Sequence, residues 1–152
     1  MKTYDINAVE KQLQTEKEVA SFTRGASMRP LLRTHRDIVI ISKPQQPIKV
    51  GDVVLYKVKN QENLVLHRII EINDDKSYVI RGDNTYVKEI VPQDVVIGVM
   101  TSLYRNGKYI DCATSKWYKS YVKRNRFFYP LRWIWRAKIR KTAGKIKRKI
   151  KS

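Results

Sequence analysis

Beyond Asp111 the 152-residue chain has no acidic side chain, while 15 Lys/Arg follow from Lys116 to the end. The other 17 basic residues nearly balance 14 acidic ones, so a body of net charge +3 carries a polycationic tail. Cysteine is almost missing. Cys112 stands alone, which excludes an internal disulfide and any multi-cysteine metal site. A single thiol fits a reducing compartment without demanding one. No run approaches the roughly 18 to 20 apolar residues needed to span a bilayer. Met1 to Glu18 is polar, without the apolar segment of a secretory signal. The expectation is a chain without leader or transmembrane anchor. Histidine occurs only at positions 35 and 67, and apart from the basic end there is neither repeat nor low-complexity tract.

What is present is the material of one folded domain: 42% hydrophobic and 10% aromatic residues. Ile6 to Ala20 is rich in helix formers, with Ile6, Val9, Leu13 and Val19 on a weak apolar stripe and Asp5 as a cap. From Phe22 to Ile110 short β-type runs follow one another: Asp37–Ile41, Asp52–Tyr56, Leu64–Ile72, Tyr78–Arg81, Val95–Leu103 and Lys108–Ile110. Pro44, Pro47, Gly51, Asn73-Asp-Asp75 and Gly82-Asp-Asn84 separate them, and Arg105-Asn-Gly-Lys108 reads as a two-residue hairpin turn. Without alternating helices, this pattern predicts a mainly β fold, a coiled antiparallel sheet or partly closed barrel. Beyond Lys116 the helical period returns through Phe127, Leu131, Trp135, Ile139, Ala143, Ile146 and Ile150. Pro130 is expected in the first turn of that helix, where its missing N–H costs little, and Gly144 is expected to loosen the last turns. The predicted divisions are 1–20 (N-terminal helix), 21–112 (β domain) and 113–152 (basic aromatic helical tail).

Three segments carry the chemistry: Gly25-Ala-Ser-Met-Arg-Pro30, Leu66-His-Arg68 within a strand, and Arg81-Gly-Asp-Asn84 at the end of another. A serine hydroxyl becomes a useful nucleophile only when a neighbouring base accepts its proton. Gly25 and Pro30 frame a tight turn that could present the Ser27 hydroxyl and backbone N–H groups for an oxyanion. Histidine suits the base near neutrality. His35, in Arg33-Thr-His-Arg36, reads as a solvated loop residue, whereas His67 sits among Leu64, Val65, Leu66, Ile69 and Ile70. A carboxylate should orient its ring, and Asp83 or Glu89 could supply it. The residues alone equally allow a turn serine, a packed histidine and a surface Gly-Asp turn.

Phe22 to about Met100 resembles the type I signal peptidase superfamily, in its Ser–His branch. The blocks occur in that family's order: Gly25 to Pro30, the strand Asp37 to Ile41, Lys49 to Val54, Leu66 to Arg68, Gly82 to Asn84, and Ile97 to Val99. The resemblance implies a serine endopeptidase acting on a peptide or preprotein, with a preference for small side chains before the cut. Ser27 would be the nucleophile, His67 the base and Asp83 its supporting carboxylate. No metal or organic cofactor is implied. The family's second acidic pair is replaced by Lys88-Glu89, which keeps Glu89 as the other supporting candidate. Arg36-Asp37 stands where a Gly-Asp is expected, and a charged helix stands where the family has a membrane anchor. The chain is similar to short peptidase-like proteins grouped with signal peptidases and LexA-type self-cleaving repressors, without a helix-turn-helix in front.

The tail (residues 116–152) combines its cations with Trp117, Tyr118, Tyr121, Phe127, Phe128, Tyr129, Trp133 and Trp135. Such a segment suits the surface of an anionic membrane. Packing of Tyr118 to Trp135 on the β body ranks second, and nucleic acid third. The expected location is the membrane periphery on its cytoplasmic face, with the cytoplasm as alternative and a membrane-anchored partner protein admitted. A non-catalytic adaptor working through the tail is the rival to the enzyme.

Overall fold

The computed structural model describes residues 6–58 and 63–150. The chain runs α1 (Ile6–Thr15), β1 (Glu18–Phe22), β2 (Ile38–Ser42), β3 (Val53–Lys57), β4 (Leu64–Ile72), β5 (Tyr78–Arg81), β6 (Glu89–Val91), a 3-10 turn (Gln93–Val95), β7 (Val96–Arg105), β8 (Lys108–Asp111) and α2 (Lys116–Ile150). Every pairing is antiparallel, in the order β1-β2-β7-β3-β4-β5-β6, with β8 added to β7. The sheet is therefore mainly β and antiparallel, and it is open: β1 and β6 are its ends. Register shifts at Ile40/Ile41, Leu55/Tyr56 and Ile69/Glu71 bend it. Among the described residues no helix is long and apolar enough to cross a membrane.

Alternation along β3 and β4 sorts side chains onto two faces. Val53, Leu55, Leu64 and Leu66 join Val9, Leu13, Leu31 and Leu103 in one core, against which Tyr118 and Tyr121 of α2 pack. Val54, Tyr56, Val65 and Ile69 join Ile80 and Val91 in a second. His67 follows the second set and Arg68 the first. Two adjacent residues thus look into different surroundings.

Several boundaries differ from expectation. Helix α1 stops at Thr15 rather than Ala20: Lys17 takes φ +64 and the chain turns into β1, where Val19 is buried by pairing with Ile41. Pro130 lies in the interior of α2, because the helix already begins at Lys116. The Arg105–Lys108 hairpin is as expected, with φ +52 at Asn106 and +72 at Gly107, the positive pair that a right-twisting two-residue turn requires. Asp5 and the side chains of Ile139, Ala143, Ile146 and Ile150 lie outside the described residues.

Candidate active site

The segment carrying Ser27 is anchored from below. Met28, Leu31 and Leu32 are buried in the first core, each such burial contributing about 1.5–3 kcal/mol. The backbone N–H of Arg29 and of Leu32 donate to Ala26 and Met28 carbonyls at 3.2 and 3.0 Å. Arg105 Nη1 donates to the Pro30 and Leu31 carbonyls at 2.9 and 2.6 Å. At the exit, Asp37 is fully buried and receives Arg33 Nη2 at 2.6 Å and the Arg33 backbone N–H at 2.9 Å. Burial alone would raise the Asp37 carboxyl, but Arg33 holds it below the usual value. The aspartate of Arg36-Asp37 is thus a clamp on the loop. His35 is exposed.

The Gly82-Asp-Asn84 turn grips the serine segment by its backbone. Asn84 N–H donates to the Ser27 carbonyl at 2.6 Å, and Asn84 Nδ2 to the Ala26 carbonyl at 3.0 Å. A Cβ on Gly82 would stand 2.7 Å from the Ser27 carbonyl oxygen and 3.0 Å from Ser27 Cβ, so the approach requires glycine. Gly82 follows Arg81, the register partner of Arg68. One step further along this antiparallel pair the residues are Gly82 and His67. Ser27 thus approaches Gly82, and His67 occupies the neighbouring position on the strand paired with β5. Among the described residues no hydrogen bond joins the Ser27 hydroxyl to His67.

His67 is buried, and its Nδ1 lies 3.3 Å from Glu89 Oε1. Tyr56 Oη donates to Glu89 Oε2 at 3.0 Å and lies 3.4 Å from Nδ1. The register explains the meeting: Glu89 pairs with Ile80 and Ile80 with Ile69, so Glu89 shares the face of His67 and Tyr56. A carboxylate only accepts hydrogen bonds, so this contact favours the tautomer with its proton on Nδ1 and leaves Nε2 with a lone pair. Burial pushes the imidazole below its ordinary value, and Glu89 offsets only part of that.

Asp83 turns the other way. Its oxygens receive Arg68 Nε and Nη2, both at 2.7 Å, together with Tyr121 Oη at 2.9 Å and Asn125 Nδ2 at 2.8 Å. Arg68 Nη1 also donates to the Gly51 carbonyl at 2.7 Å. Burial alone would lower the guanidinium value, but Asp83 raises it, so Arg68 stays charged. The carboxylate expected beside His67 is thus occupied by Arg68, and the one beside Nδ1 is Glu89.

Helix α2 completes this region. Tyr118, Tyr121 and Tyr129 are buried against the body. Arg132 Nη2 reaches Asn84 Oδ1 at 2.5 Å and its Nη1 the Asp83 carbonyl at 3.2 Å. Tyr129 Oη donates to the Thr85 carbonyl, and its ring lies under Arg81 at 3.0 Å. Packing of the tail's first half on the body, ranked second from the sequence, is the arrangement found for these residues.

No family model matches the chain. Over 58 residues it is 33% identical to the signal peptidase complex catalytic subunit sec11 of Dictyostelium discoideum. The relationship is signal-peptidase-like. The match covers 36% of this chain and 32% of that protein, so about a third of the relative's length is spanned.

Beside these signal-peptidase-like blocks stand residues that the motifs did not supply: Tyr56, Arg68 as the partner of Asp83, and Tyr121, Asn125 and Arg132 from α2. Tyr56 meets His67 through strand pairing, which a single sequence does not state. Burial pushes the Cys112 thiol up to about 12, away from the thiolate form that reacts. Among the described residues no group of three or more His, Cys, Asp or Glu could hold a metal ion.

Proposed function

We propose that the chain is a serine endopeptidase of signal-peptidase type, cleaving a peptide or preprotein. Ser27 Oγ attacks the scissile carbonyl while His67 Nε2 takes its proton, and the imidazolium then returns that proton to the leaving amine. Glu89 holds Nδ1–H and stabilises the transient positive charge. The Ser27 backbone N–H helps to hold the oxyanion. Asp83 acts on the framework: with Arg68 it fixes the turn whose next residue, Asn84, holds the serine segment.

What supports this reading is the approach of Ser27 to Gly82, next to the strand position of His67, with Nδ1 of the ring engaged by Glu89. The likeness to a signal peptidase catalytic subunit supports it. The test is covalent labelling by a serine-reactive active-site probe, with peptide cleavage followed in parallel. Labelling and cleavage are expected in the wild type and lost in Ser27→Ala and in His67→Ala. Unchanged cleavage by either variant sinks the reading.

A further inference from the structure

Helix α2 has two working faces. Tyr118, Tyr121, Asn125, Tyr129 and Arg132 face the body and the Gly82–Thr85 turn. On its other side Phe127 is 71% exposed, Leu131 48%, Ile134 52% and Trp135 70%, with Phe128 beside them at 52%. These five large apolar side chains fall within nine residues, and the body does not cover them. On the flank away from these side chains, Tyr86 of the turn between β5 and β6 packs edge-on against Trp133 at 5.5 Å. Exposed apolar surface of this extent on a folded domain marks a binding surface.

The surrounding charge selects the occupant. From Lys116 onward all 15 charged residues are Lys or Arg. A protein partner would have to be strongly acidic and apolar at the same place. Nucleic acid would satisfy the cations and stack on aromatic rings, but it has no use for exposed Leu131 and Ile134. An anionic bilayer answers both properties, since its headgroups take the cations while its acyl boundary takes leucine, isoleucine, phenylalanine and tryptophan.

We propose that the outer face of α2 docks on the surface of an anionic lipid bilayer while the inner face stays on the body. The helix then lies along the interface, between the bilayer and the Gly82–Asn84 turn that holds the Ser27 segment. The docking does not depend on Ser27 chemistry.

The test is sedimentation of the full chain with phosphatidylcholine vesicles and with mixed phosphatidylcholine–phosphatidylglycerol vesicles. Tryptophan emission is read in the same samples. All three tryptophans (Trp117, Trp133, Trp135) belong to α2, so their emission reports this helix alone. The wild type is expected to sediment with the mixed vesicles, with a blue-shifted emission, and to stay in solution with the neutral ones. The double variant Leu131→Ser/Ile134→Ser removes exposed side chains only, and is expected to weaken vesicle binding at least tenfold with an unchanged circular dichroism spectrum. Lys123→Gln/Arg126→Gln, a second exposed pair, is expected to weaken it less and to flatten its salt dependence. Equal behaviour towards both vesicle types overturns the proposal. So does release from mixed vesicles by single-stranded DNA with the apolar variant unaffected, or self-association in place of vesicle binding. Ser27→Ala is expected to bind like the wild type, so a failed peptidase reading and a failed docking reading give separate results.

Discussion

His67 and Arg68 are neighbours on β4, yet each has its own carboxylate in a different medium. The Arg68–Asp83 side chains are 5% and 1% exposed, whereas Glu89, beside the 9% exposed His67, is 38% exposed. Asp83 receives three donor side chains. Glu89 meets one imidazole and one phenol at looser distances. The proposed base must gain and lose a proton during turnover, which its half-open corner permits. The pleat of one strand thus separates the proposed base from a closed ion pair.

The largest effect is expected at the titrating side. His67→Ala should lower kcat/KM by about 10⁴-fold or more, as when one member of a catalytic unit is removed, with the fold retained by thermal unfolding. If the rate loss is small, the open corner is not the reactive one. Next comes the closed side. Asp83→Asn leaves a buried guanidinium without its counter-charge and should cost about 3–5 kcal/mol of stability, read from denaturant midpoints. A cost below that measured for Glu89→Gln would reverse the comparison.

Glu89→Gln should lower the rate about 10²-fold and change the pH profile. Because burial depresses the His67 imidazole, activity should fall with acidification only below the ordinary value of 6.5. Glu89 opposes that depression, so its removal should move the acid limb to still lower pH. The same depression favours a neutral ring in the folded state. Its contribution to stability is fully present above 6.5 and is lost as the pH falls from there through the folded value. An acid limb that moves upward in Glu89→Gln would remove Glu89 from the ring. Tyr56→Phe is the mildest change: it deletes one hydrogen bond to Glu89, of about 1 kcal/mol, and should reduce kcat several-fold with little effect on KM.

The sequence carried this contrast only in part. β4 and β5 were legible to the residue because asparagine, aspartate and glycine turns bound them. β6 was not, since three residues hold too little pattern. The end of α1 was misread because Lys17, with no glycine to signal it, takes the left-handed turn. Ser27 and His67 were singled out by residue type, but the choice between Asp83 and Glu89 depended on pairing. The register Ile80↔Glu89 and the pleat that sends Arg68 toward α2 exist only once the sheet is assembled. The tail's helical period was plain, yet periodicity could not tell that tyrosines would turn inward while Phe127 and Trp135 stayed out.

The chain of contacts from Arg132 through Asn84 to the Ser27 carbonyl also determines where this molecule can be shortened. Removing everything after residue 135 spares each named support of the Gly82–Thr85 turn, while stopping at residue 120 strips away Tyr121, Asn125, Tyr129 and Arg132 together. The scaffold of the serine segment therefore extends into the middle of a continuous helix and does not stop at the loop that precedes it.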